Sequence, residues 1–121
     1  MKIQNKTQKM ILSEDATLCP SLLQKARGLM FCRQRDLVFV EKKERRIPLH
    51  MWFVFYPIDI VYCDKDKKIV EIKENFCPWA FYSPKNKAMY VLELRAGIIE
   101  KTKTQVNDAL AFVSQFYLSS C

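Results

Sequence analysis

The sequence predicts a mainly β domain with one short N-terminal helix, on three observations. Half of the 121 residues are hydrophobic and 12% are aromatic, which supplies a core and argues against disorder as the main state. The apolar stretches are short and rich in β-branched and aromatic residues. One of them, Ala88–Arg95, alternates strictly: Tyr90, Leu92 and Leu94 share one face, and Val91, Glu93 and Arg95 share the other.

Taken in order, residues 6–12 read as an edge strand that Lys6 and Lys9 would protect from aberrant pairing. Pro20 suits a first helical turn, Leu22, Leu23 and Ala26 follow at helical spacing, and Gly28 stands where a C-cap glycine belongs. Residues 20–27 are therefore the predicted helix. Residues 37–40 form a short strand, and the charge run 41–46 reads as a solvated turn. Residues 49–56 are the most apolar part of the chain and predict a strand buried on both faces. Pro57 interrupts, and Ile58–Cys63 follows as a second strand. A turn at 64–68 leads to a third strand from Ile69, so the three together predict a meander. Cys77-Pro78-Trp79 and Ser83-Pro84-Lys85-Asn86 break the pattern. Residues 104–118 are open. Val106, Leu110, Val113 and Tyr117 have helical spacing, whereas Ala111-Phe112-Val113 suits a closing strand. With no repeat and no linker, one domain over residues 1–121 is expected.

Composition narrows the function classes. Two glycines, Gly28 and Gly97, leave no Gly-rich phosphate loop. Five cysteines (19, 32, 63, 77 and 121) form no CxxC pair, and His50 is the sole histidine, so no metal or cofactor site is expected. Reduced thiols are the default, with Cys19–Cys32 or Cys63–Cys77 bridges as the alternatives. The polar N-terminus shows no secretory signal, and no apolar stretch is long enough to span a membrane, which makes the cytoplasm the default compartment. The net charge of +7 favours anionic partners.

A few residues stand out as candidates for chemistry. Asp59 lies inside an apolar strand, where a carboxylate is costly unless it is hydrogen-bonded. It reads as a structural acceptor of backbone N–H groups or as an acid facing a pocket. Glu93 alternates with apolar neighbours, as a cross-strand partner or as the second half of a glycosidase-type pair with Asp59. His50, Trp52, Trp79 and Tyr82 complete a candidate pocket. Exposed aromatics of the 79–82 segment beside Lys85, Lys87 and Arg95 would suit single-stranded nucleic acid or a sugar face. Lys42, Lys43, Arg45 and Arg46 could contact phosphates, but Glu41 and Glu44 dilute their field.

Three segments in order carry a family resemblance. They are Arg27-Gly28-Leu29-Met30, then Pro57-Ile58-Asp59-Ile60-Val61-Tyr62 with Asp64 and Asp66, then Tyr82-Ser83-Pro84 followed by Tyr90-Val91-Leu92-Glu93-Leu94-Arg95-Ala96-Gly97. Over residues 16–108 the chain resembles the uncharacterised "domain of unknown function 192" family, and His50-Met51-Trp52-Phe53 resembles its archaeal branch. The resemblance implies a small β-sandwich or barrel-like domain and a strand at the tail. It brings no catalytic residue. The family shows Gly-Asp where this chain has Asn107-Asp108; Asn tolerates the left-handed backbone such a turn needs. The expected function is therefore a non-catalytic β-domain, monomer or homodimer, binding a small ligand or partner. The alternatives are a nucleic-acid-associated basic protein and a hydrolase using Asp59 and Glu93.

Overall fold

The computed structural model describes residues 1–19, 36–50 and 56–113. The helix predicted at 20–27 and the apolar residues 51–55 lie outside these. Among the described residues ten strands and one short helix follow one another: β1 (Lys2–Asn5), β2 (Met10–Ser13), β3 (Thr17–Cys19), β4 (Leu37–Arg45), β5 (Leu49–His50), β6 (Ile58–Cys63), β7 (Ile69–Phe76), β8 (Phe81–Tyr82), β9 (Ala88–Arg95), α1 (Ile98–Thr102) and β10 (Leu110–Val113). The fold is mainly β, as predicted. Among the described residues no helix is long and apolar enough to cross a membrane.

A five-stranded sheet, ordered β3-β4-β9-β6-β7, forms the middle layer. A three-stranded sheet, β10-β1-β2, covers one face, and the β5-β8 ribbon lies on the other. The two faces explain the sequence pattern. Every residue of β6 is buried because β6 is flanked by β7 and β9 and covered on both sides. On the first face, Val38, Val61, Leu92 and Leu94 pack with Ile3, Leu12, Leu110 and the helix residues Ile98 and Ile99. On the second, Leu37, Phe39, Ile60, Tyr62 and Val91 pack with Ile47 and Leu49.

Several expectations are corrected. The single edge strand at 6–12 is instead a hairpin, with β1 and β2 joined by a turn at residues 6–9 where Lys9 takes φ 57. The charge run 41–46 is not a turn, since β4 continues to Arg45, which pairs with Ala88. The meander does not form as predicted. β6 pairs with β7 as expected, but its other neighbour is β9, and Leu49–His50 pairs with β8. In the open segment, residues 110–113 are a strand: β10 pairs with β1, and Asn107 at φ 81 makes the turn that precedes it, while residues 114–118 lie outside the described residues.

That turn is held by a buried polar knot. Asp108 Oδ2 accepts from Asn5 Nδ2 (2.9 Å), the Gln105 N–H (3.0 Å) and Gln8 Nε2 (3.2 Å). Burial alone would raise its pKa, but these donors hold it below the usual carboxylate range. A depressed pKa contributes stability above the unfolded-state value and loses it as pH falls through the folded one. Asp108→Asn is therefore expected to cost about 2 kcal/mol at neutral pH. Urea titrations should show the gap closing as pH falls below the carboxylate range.

Candidate functional site

Strand register decides which predicted residues meet. Glu93 on β9 stands opposite Leu37 on β4 and Ile60 on β6, on the face that carries Tyr62 and Val91. Asp59 stands opposite Leu94, on the other face. Directly paired residues share a face and successive ones alternate. Asp59 and Glu93 are thus separated by the sheet, and the acid/base pair does not assemble.

Asp59 is a structural clasp. Its Oδ1 accepts the Asn75 N–H (2.8 Å), where β7 bulges at φ 48. Its Oδ2 accepts the N–H groups of Gly97 (3.0 Å) and Ile99 (3.1 Å) at the start of α1. Five residues make too short a helix to persist alone. This one is fixed by Asp59, by buried Ile98 and Ile99, and by Gly97 at φ 94, a conformation that strains residues with a Cβ.

Five carboxylates are buried: Asp36, Asp59, Glu71, Glu93 and Asp108. Four are engaged by donors. Asp36 accepts from Ser13 Oγ and the Arg95 N–H, and Asp59 and Asp108 are held as described. Glu71 Oε1 accepts the N–H groups of Lys85 and Asn86 and the Asn86 side-chain amide, while Oε2 accepts the Tyr82 hydroxyl. Glu93 differs. It is 5% exposed, and its Oε2 is buried with no hydrogen-bond partner among the described residues. Burial pushes its pKa up to about 8, so at neutral pH it is mostly the protonated acid.

The face of the sheet that carries Glu93 also carries aromatic and polar groups. Tyr62 lies on the same face of β6 and donates to the Ile47 carbonyl (3.0 Å); burial, then the nearby Glu71, raise its pKa. Its ring centroid is 6.1 Å from that of Tyr82. Burial and the bond to Glu71 push Tyr82 up to about 12. For Glu71 itself burial acts upward, but the donors from Tyr82, Asn86 and Lys85 outweigh it and its pKa is lowered. Lys73, in register with Ile60, holds its ammonium 5.9 Å from the Tyr82 ring centre.

The remaining candidates fall elsewhere. His50 pairs through its backbone with Phe81, and Trp52 lies outside the described residues. Trp79 is 55% exposed and takes φ 67. Of the predicted pocket, Tyr82 and Glu93 therefore share a face and Asp59 does not. Tyr62 and Glu71 belong beside them and were missed. Part of the signal for Glu71 was available: a carboxylate between Val70 and Ile72, flanked by apolar residues as Asp59 is. Cys63 and Cys77 are free thiols, which removes the Cys63–Cys77 bridge. The reason is topological: Cys63 sits at the turn end of the β6–β7 hairpin and Cys77 follows Phe76, which pairs with Ile58 at the other end. The strand between spans roughly 15–20 Å. Cys19–Cys32 lies outside the described residues.

The model of the family DUF192, described as "Uncharacterized ACR", matches residues 3–112. A UPF0127 protein of Pyrococcus horikoshii is 30% identical over 111 residues, covering 89% of this chain and 96% of the relative. A UPF0127 protein of Thermococcus sibiricus is 29% identical over 110 residues, covering 88% and 71%. A crystal structure of a Novosphingobium aromaticivorans protein of unknown function matches with a TM-score of 0.78 at 17% identity, covering 92% of this chain and 82% of that one. A Sinorhizobium meliloti protein matches with a TM-score of 0.79 at 24% identity, covering 91% and 89%. At these identities the likeness to the two structures is one of fold.

Proposed function

The chain belongs to the DUF192 family of uncharacterised proteins, and on that premise we propose that it is a non-catalytic, single-domain binding module whose polar anchor is Glu93. One observation carries this reading: of five buried carboxylates, Glu93 alone keeps an oxygen without a partner among the described residues. A buried polar atom left unpaired costs about 1–3 kcal/mol. A ligand that supplies the missing partner recovers that cost on binding. A protonated Glu93 donates from Oε2, so the fitting ligand offers a neutral acceptor, a carbonyl or ether oxygen.

The test is a screen of small neutral carbonyl compounds by thermal shift and amide NMR. Binders are expected to shift resonances of Tyr62, Tyr82 and Glu93. Glu93→Leu should weaken them about tenfold or more. Binding to the wild type should weaken as pH rises through about 8, as Glu93 ionises. Glu93→Gln, which keeps a donor, should bind without that pH dependence. Binders that act equally on Glu93→Leu would overturn the reading.

A further inference from the structure

We propose that the turn end of the five-stranded sheet binds single-stranded nucleic acid. Three segments distant in sequence meet there. They are the outer half of β4 with Arg46, the β6–β7 tip at residues 64–68, and the approach to β9 at residues 85–87. Arg45 pairs with Ala88, and Glu44 Oε2 accepts the Lys65 N–H (2.9 Å), which ties the β4 extension to both neighbours. The approach to β9 is fastened through the Lys85 and Asn86 N–H groups on Glu71.

These segments carry nine basic side chains (Lys42, Lys43, Arg45, Arg46, Lys65, Lys67, Lys68, Lys85 and Lys87) and four acidic ones (Glu41, Glu44, Asp64 and Asp66). The difference is +5, most of the chain's +7. Eight of the nine basic residues are exposed; Lys67 is half-buried, with its ammonium 5.1 Å from the Phe112 ring centre and 5.9 Å from that of Tyr90. Three of the acids are turned to the protein's own donors. Glu41 pairs with Arg45 (3.1 Å), Glu44 holds Lys65, and Asp64 Oδ1 accepts the N–H groups of Asp66 and Lys68. The Glu41–Arg45 pair is the one ion pair at this end among the described residues.

Charge alone would suit any polyanion. The β5–β8 ribbon narrows the choice. It leaves this end between Arg46 and Lys85, and it presents Phe81, 58% exposed, four residues before Lys85. Four residues span at most about 14 Å of chain. Lysines to neutralise phosphates beside exposed rings on which bases stack are the two parts of a sequence-tolerant single-strand site. A duplex hides its base faces and would meet only the charge.

Fluorescence anisotropy decides, with labelled single-stranded RNA and DNA of about 12 nucleotides, a duplex of the same length and polyglutamate as probes. Single strands are expected to bind best, with log affinity falling against log salt at a slope of roughly −3, as for four or five phosphate contacts. The Lys42→Glu/Lys43→Glu double variant should weaken binding tenfold or more, and the matching Gln variants, which remove two positive charges without adding negative ones, less. Phe81→Ala should weaken single-strand binding by about tenfold with the salt slope unchanged. Far-ultraviolet circular dichroism confirms that each variant is folded. No binding at low salt, duplex or polyglutamate bound as tightly as single strands, or no effect of Phe81→Ala would overturn the proposal.

Discussion

Glu93→Gln is expected to be more stable than the wild type at pH 9 by several kcal/mol, and to differ little from it at pH 5. The cause is desolvation. Glu93 lies on the central strand β9, with Leu37 and Ile60 as cross-strand neighbours, and burial moves its pKa up to about 8. In the unfolded chain it titrates near 4.5. Between those values the native state holds a proton that the unfolded state has released. Native stability therefore falls as pH rises across that window, by up to about 1.4 kcal/mol per unit, and the loss is complete above the folded pKa. Glutamine cannot ionise, so its stability has no such slope.

The total pH profile is not the right readout. Asp108 and Glu71 have lowered pKa values and contribute in the opposite sense, with stability present above the carboxylate range and lost in acid. Subtracting the variant's urea-derived stability from the wild type's at pH 5, 7 and 9 removes them, because both proteins share those groups. Parallel curves across this range would show that Glu93 is ionised and satisfied in the native protein. The binding-module reading would then lose its anchor.

What the sequence revealed, and what it concealed, follows from the range of each interaction. Alternation in Ala88–Arg95 and the apolar run Ile58–Cys63 marked two strands because side-chain period is a local property. Strand order is not local. Nothing near Leu49 or Tyr90 says that β9 lies between β4 and β6 and displaces the expected neighbour. The run 41–46 resembles a turn because most of it is solvated, yet a strand that projects past the core is solvated too. The helical spacing of Val106, Leu110 and Val113 lost to the positive φ of Asn107, whose N–H bonds the Ile69 carbonyl, and to pairing with β1 at the start of the chain. The helix α1 was invisible for a similar reason, since two of its first N–H groups are held by Asp59, some forty residues earlier. At the site, alternation with apolar neighbours singled out Glu93, and its place in an aromatic segment between two turns singled out Tyr82. The face each one occupies required the register.

Asp59→Ala should be the most damaging single substitution of a polar residue, lowering stability by roughly 3–5 kcal/mol. Three N–H groups on two separate elements lose one shared acceptor, at a position 1% exposed where water is a poor substitute. Asp59→Asn should recover little. An amide offers one oxygen where the carboxylate uses both, and its NH₂ would face an N–H donor on one side. A small domain has about 5–15 kcal/mol in total, so the loss is a large share of it. The damage should also be local first. Hydrogen exchange at Asn75, Gly97 and Ile99 is expected to accelerate more than at Val61 or Leu92 on the central strands. A change below about 1 kcal/mol, or uniform exchange, would mean that α1 is held without Asp59. The contrast with Glu93 separates two uses of a buried carboxylate on one sheet. Removing the carboxylate at Asp59 takes away an acceptor that three donors share, whereas removing it at Glu93 relieves, above its folded pKa, a native state with no donor for Oε2 among the described residues.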